Sequence, residues 1–260
     1  MALRNAEILA FRPGTNSALV VGADGAVGLL HLRPEEPDAT WQALREAVHD
    51  PDIAAWSPCG DGLVLASAAE GRLQVWHIED NFPKLAYELP LAPTRAAVSD
   101  AGTVLAEVDG ALYTTGPDGS MRTVTAQAAG PFTFLAGSER YAWLDGGRLR
   151  MEGAGEAPLT VGLPEGADPR RVLLLSIRGA PLAAASPGDD GTLLTAWNES
   201  GERIGQWQCP VAAVRLWMAG PEGVVQLVSG DDGPVWMALF ENTGARIFFV
   251  PRAREEAEQP

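Results

Sequence analysis

An acidic residue followed by glycine recurs along this chain at a nearly fixed period, and nothing else in it restricts the fold as much. The pairs are Asp24-Gly25, Glu70-Gly71, Asp109-Gly110, Asp145-Gly146, Asp190-Gly191 and Asp232-Gly233, with the glycines 46, 39, 36, 45 and 42 residues apart. Such a dipeptide suits a two-residue hairpin, because both turn positions need φ > 0, which Gly accepts freely and Asp tolerates. A second turn signal follows each pair, as in Glu79-Asp80-Asn81, Pro117-Asp118-Gly119 and Glu199-Ser200-Gly201. A third precedes each, as in Pro13-Gly14, Ser57-Pro58-Cys59-Gly60 and Ser99-Asp100-Ala101-Gly102. Three turns separate four strands, and the set occurs six times.

A period of about 40–45 residues with four short strands per unit is the pattern of a β-propeller blade. The spacing therefore predicts an all-β, six-bladed propeller with four-stranded antiparallel blades at approximately 6–48, 49–91, 92–127, 128–164, 165–209 and 210–252. Residues 253–260 read as a charged, disordered tail. Ala18–Val21, Val104–Ala106 and Val224–Val228 are short apolar runs bounded by turn residues, as strands buried on both faces should be. Arg203–Trp207 is more mixed, as expected of an outer strand. Trp41, Leu44 and Val48 share a helical spacing, but the segment falls where the first blade needs its fourth strand, and a strand is the reading adopted. Only five residues precede the first blade and the last owns four strands. The expectation is either closure by side-chain packing without exchange of a strand between the termini, or an imperfectly closed ring whose open strand edge a partner could fill.

Glycine and proline, 29 and 20 of 260 residues, suit many tight turns better than long helices. The formal net charge of −15 argues against nucleic acid and against anionic membrane surfaces, since both are recognised through Lys and Arg. It favours a protein partner with a basic segment. The two cysteines, Cys59 and Cys209, make no disulfide framework, which points to a cytoplasmic location. No apolar run resembles a signal peptide or a membrane span.

The second unit carries further detail. His49-Asp50-Pro51-Asp52-Ile53-Ala54-Ala55-Trp56-Ser57-Pro58, then Leu63 to Ser67, Glu70-Gly71 and Leu73-Gln74-Val75-Trp76, resembles a WD40 repeat. In that family a His, a Ser or Thr, an Asp and the Trp form a hydrogen-bonded tetrad, and the resemblance implies His49, Ser67, Glu70 and Trp76 for those parts. Val48 stands where the family has Gly, Glu70 where it has Asp, and the final dipeptide is Trp76-His77. The resemblance implies protein–protein scaffolding; it transfers no catalytic site, cofactor or metal.

The six turn acids, Asp24, Glu70, Asp109, Asp145, Asp190 and Asp232, would form a ring on one face. The turns themselves account for them, and an acidic collar for a basic peptide is the functional reading. Gly22, Gly25 and Gly28 precede a strand and not a helix, so they do not make a phosphate loop. His31 and His77 occupy equivalent positions in adjacent units without a third ligand at suitable spacing. Trp207, Arg215 and Trp217 are the expected aromatic–Arg contact group, with Arg170 and Arg171 as further partner-contact candidates. The function expected is a non-catalytic interaction scaffold or adaptor, a subunit of a cytoplasmic complex. The alternative is a propeller hydrolase or lactonase with a metal at the channel, which would recruit Asp52, Asp168, Asn198 and Asn242.

Overall fold

The computed structural model describes residues 6–31, 40–127, 130–153, 155–177, 180–188, 191–209, 215–219, 224–228, 235–241 and 244–250, with side chains up to 209 except at 177, 180 and 181. Among the described residues, twenty-four strands form six four-stranded antiparallel sheets, each built from four consecutive strands. The first sheet is β1 (Glu7–Phe11), β2 (Ser17–Val21), β3 (Val27–His31) and β4 (Thr40–Ala43); the second is β5 (Ile53–Trp56), β6 (Gly62–Ser67), β7 (Arg72–Glu79) and β8 (Phe82–Leu89). The third is β9 (Arg95–Val98), β10 (Val104–Val108), β11 (Ala111–Thr115) and β12 (Met121–Thr125); the fourth is β13 (Phe132–Phe134), β14 (Arg140–Asp145), β15 (Arg148–Gly153) and β16 (Leu159–Gly162). The fifth is β17 (Leu173–Ile177), β18 (Ala180–Gly188), β19 (Gly191–Trp197) and β20 (Arg203–Cys209), and the last is β21 (Arg215–Ala219), β22 (Val224–Val228), β23 (Val235–Glu241) and β24 (Gly244–Val250).

The first strand of each sheet lies beside the first strand of the next, and β21 lies beside β1. The architecture is thus an all-β propeller with four-stranded antiparallel blades around a central channel. Five blades are described with side chains, and the sheet β21–β24 through its backbone pairing. Among the described residues no sheet borrows a strand from the other end of the chain. The Trp41 segment is a strand, β4, pairing with β3 through Gly28–Ala43 and Leu30–Trp41. The tail at 253–260 lies outside the described residues.

Apolar runs in the second strands are continuous because each such strand is buried on both faces. Leu63 and Leu65 of β6 pack with Leu19, Leu29 and Trp76 in the core between blades one and two. Their neighbours Val64 and Ala66 point the other way, into the core with Val98, Val104 and Ala106 of blade three. Leu105 and Leu112 meet Phe134, Tyr141 and Trp143 at the next junction, and Leu144, Leu149 and Met151 meet Leu182, Ala184 and Trp197 at the one after. Outer strands alternate instead: β8 shows every second residue to solvent until Leu89. Large rings fill the junctions, Phe134 meeting Tyr141 edge-on at 5.9 Å.

Candidate functional site

The meander gives the propeller two faces. Loops between second and third strands, and those leading into the next blade, share one face, here the collar face. Loops between first and second strands, and between third and fourth, share the other, the clamp face. Hydrogen bonds confirm the grouping: His49, in the connection to blade two, donates its backbone N–H to Glu70 in the β6–β7 turn at 2.7 Å. On the other side, Arg12 after β1 reaches Asn81 in the β7–β8 hairpin at 2.8 Å.

On the collar face the acid–glycine pairs build three different turns. Asp109 (φ 50°) and Gly110 (φ 77°) are the two central residues of a tight hairpin between Val108 and Ala111, as the sequence suggests. Asp24 lies in a five-residue turn and accepts the Ala26 N–H at 3.2 Å. Glu70 sits in a four-residue loop. Asp145 is not a turn residue: it pairs in register with Arg148, and Gly146 and Gly147 supply both positive-φ positions. All four acids are exposed, but Asp145 holds Arg150 Nε at 2.6 Å and Glu70 holds the Arg72 guanidinium. The hydrogen bond from Arg72, then that from the His49 N–H, depresses the Glu70 carboxyl below its ordinary range. The collar is therefore partly neutralised. Asp190 and Asp232 lie outside the described residues.

The tetrad residues are brought together only in part. The Glu70 N–H reaches Ser67 Oγ at 3.4 Å, and His49 contributes its backbone while its ring lies against Gly25. Trp76 pairs with Leu63 and Ser67 with Arg72, which separates them by four residues, about 13 Å along the strand. The Trp76 indole N–H is buried without an acceptor. Gln74 does the tying instead. Fully buried, it accepts the Val48 N–H at 2.9 Å and donates to the Glu46 carbonyl and to Glu88, both at 2.8 Å, pinning the inter-blade connection to β7.

The clamp face joins blade to blade. Arg12, 6% exposed, donates Nε to the Gly60 carbonyl at 2.7 Å and Nη1 to Asn81, while its guanidinium lies over Trp56. Burial lowers its pKa, and Asp61 opposes the shift. Asp100 of blade three accepts the Cys59 N–H of blade two at 2.9 Å and the Gly137 N–H of blade four at 3.1 Å. Arg140 of blade four, 2% exposed, donates Nη1 to the Glu199 carbonyl of blade five at 2.7 Å and pairs with Glu156 at 2.6 Å. Ser176 of blade five accepts the Ala136 N–H of blade four at 2.6 Å. Sequence reading missed all of these. The signal available was the alignment of Phe11-Arg12-Pro13, Trp56-Ser57-Pro58 and Val98-Ser99-Asp100, which places them at one turn of successive blades.

The channel opens differently at its two ends. On the collar side a cavity of about 460 Å³ is lined by Asp52, Ala54, Thr94, Arg95 and Phe132 among others, with Arg95 stacked 5.0 Å from the Phe132 ring and paired with Glu107. On the clamp side a cavity of about 300 Å³ carries no charged side chain and is walled by Phe11, Trp56, Leu174 and Leu175, with Ser57, Thr133 and Ser176.

The alternative metal set does not converge. Asp52 accepts the Ala68 N–H at 2.7 Å and Asp168 the Arg170 N–H at 3.0 Å, both on the collar face, whereas Asn198 lies in the β19–β20 hairpin of the clamp face. Asn242 lies outside the described residues. Among the described residues no three His, Cys, Asp or Glu side chains are grouped as for a metal. His31 joins a chain across blade one, from Ser17 Oγ to Nδ1 at 2.8 Å and from Nε2 to Gln42 Oε1 at 3.4 Å. Ser17 is 5% exposed and lines no described cavity, and a neutral Gln cannot stabilise an imidazolium as a carboxylate does. The chain reads as a structural tie.

The expected contact group is spread out. Trp207 stands on the outer strand β20 with its ring folded over Gly205, where any Cβ would clash with it. Arg215 and Trp217 lie on β21, the inner strand of its sheet, and their side chains are outside those described. Arg170 and Arg171 are exposed in the connection between blades four and five.

No protein-family model matches the sequence, and no curated protein matches it. Solved structures do: 745 chains match, too many for the likeness to specify a task. The β-propeller domain of Cps50 (Swd1) from Myceliophteria thermophila superposes with a TM-score of 0.61 over 96% of this chain and 89% of that one, at 14% identity. At that identity the likeness speaks for the fold, which is that of a WD40-like propeller.

Proposed function

We propose that the six sheets form one ring of six blades that serves as a non-catalytic scaffold, a cytoplasmic subunit that holds a partner protein with a basic segment. The observation that carries this reading is the use made of polar side chains at the blade junctions. Arg12, Asp100 and Arg140, groups that elsewhere bind ligands, are engaged by the backbone of neighbouring blades. The result is a stiff frame with exposed, mostly acidic loops, and a chain of net charge −15 steers cationic partners. The test is co-purification from the native host at low and high ionic strength, with metal content measured on the same preparation. A stoichiometric protein partner released by salt is the expected result. A stoichiometric, tightly held metal together with ester or lactone hydrolysis would replace this reading by the enzymatic one.

A further inference from the structure

We propose that the clamp face is the partner-binding face, and that it takes a protein segment whose apolar side chains are flanked by lysines or arginines. This rests on the scaffold reading and adds to it a face and a chemistry. Four large apolar side chains are exposed among the described residues: Ile8, Phe82, Met121 and Ile204. Ile8 stands on the inner strand β1. The other three share one structural position: Phe82 and Met121 are the first residues of β8 and β12, and Ile204 is the second of β20. Each begins the outer strand of its blade at the clamp-face end. The far ends of the same strands behave differently, Leu89 and Cys209 being buried and Thr125 half-buried. Apolar exposure on the outer strands is thus tied to one face in three blades.

Two of these positions are held stiffly. Phe82, 71% exposed, follows a turn with Asp80 and Asn81 both at positive φ, and Asn81 is gripped by the buried Arg12 of the preceding blade. Ile204 follows the hairpin whose Glu199 carbonyl is gripped by the buried Arg140 of the preceding blade. An apolar side chain fixed in the open by a neighbouring blade binds with little further loss of entropy, and exposed apolar positions on one face mark interaction surfaces. The surroundings select the partner's charge. Glu79 and Asp80 precede Phe82, Asp118 precedes Met121, and Glu199 and Glu202 precede Ile204, all exposed, against Lys84, Arg122 and Arg203. An apolar contact ringed by net negative charge complements an apolar contact ringed by cations.

The test uses the full chain and two labelled helical peptides, one with a leucine face and a lysine face, the other with glutamate in place of lysine. Fluorescence anisotropy should show binding of the lysine peptide and none of the glutamate peptide. Phe82→Ser combined with Met121→Ser should weaken binding at least about tenfold, with Ile204→Ser as an independent second variant. Asp24→Asn with Asp109→Asn, on the collar face, should change it by no more than about twofold. All these positions are exposed, and an unchanged melting midpoint confirms folding. The assignment is overturned if the lysine peptide does not bind, if the glutamate peptide binds equally, or if the serine variants bind as the native chain does. A co-purifying partner that ignores the serine variants would leave the scaffold standing and remove only the face; finding no partner at all would remove the scaffold.

Discussion

The two faces of this propeller are built from the same four-stranded repeat but are held in opposite ways. On the clamp face, buried or half-buried side chains cross successive junctions: the buried Arg12 from blade one to two, the half-buried Asp100 from three to both neighbours, and the buried Arg140 and Ser176 between four and five. On the collar face the described inter-blade side-chain bonds gather at the first junction, where Gln74 and Glu70 hold residues 46–49. Buried charge and hydrogen bonds fix the relative placement of blades, whereas short exposed turns fix only their own strands. A face locked blade to blade suits a binding platform, and one held by single hairpins is free to vary in sequence.

The sharpest way to break the contrast is Arg12→Ala. It removes two hydrogen bonds from a buried guanidinium and its cover over Trp56, and the expected loss is about 3 kcal/mol in urea unfolding. Gln74→Ala is its counterpart on the collar face. It strands the Val48 N–H and the Glu46 carbonyl and should cost about 2 kcal/mol, with hydrogen exchange rising over residues 46–49 before it rises elsewhere. Equal exchange gains around the whole ring would contradict a collar held mainly at one junction. Arg140→Met is the milder clamp change. Nε and Nη2 of Arg140 are buried without partners, so losing them relieves part of what the lost Nη1 bonds cost, and about 1 kcal/mol is expected. A loss as large as that of Arg12→Ala would mean that those donors are satisfied in solution.

These contrasts also explain what sequence could and could not disclose. The blade pattern was legible because a positive-φ turn restricts residue type, and Asp109-Gly110 fills both positions as anticipated. Asp145-Gly146 fits the same pattern for a different reason, since Gly146-Gly147 makes the turn and the acid belongs to the strand. The tetrad was legible as a motif and misleading as geometry. The register puts Trp76 beside Leu63, and Gln74, which no motif singles out, takes the fully buried position. Arg12, Asp100 and Arg140 were illegible because most of their partners are backbone groups 37 to 59 residues away, which have no sequence signature. Trp207 stands on an outer strand, and Gly205, two residues before it, leaves room for its ring, an arrangement that has no sequence signature.

The smallest effects come from protons, and the two faces should fail at opposite ends of the pH scale. On the clamp face Cys59 is pushed up to about 11, mainly by burial and then by its hydrogen bond to Asp100, and Tyr87, which donates to the Gly102 carbonyl, is pushed up to about 12 by burial, Glu139 and Asp118. A neutral acid with a raised folded pKa stabilises fully below its unfolded pKa and loses that contribution as pH rises through the folded one. The clamp should therefore weaken between about pH 9 and 12, and Cys59→Ser with Tyr87→Phe should flatten that decline. Glu70 on the collar is depressed, so its contribution is present above the ordinary carboxylate range and fades in acid; exchange of the His49 amide should rise there first. The clamp arm has a direct chemical readout. Cys209 is fully buried, so iodoacetamide labelling reports Cys59. Labelling should be slow at pH 8 and still climbing above pH 10, because only the thiolate reacts. Asp100→Asn removes the neighbouring charge but leaves burial, the larger cause, so the rate at pH 8 should rise only several-fold. A rate already flat above pH 9 would mean that Cys59 is open to solvent, and that the junction between blades two and three is looser than the rest of the clamp.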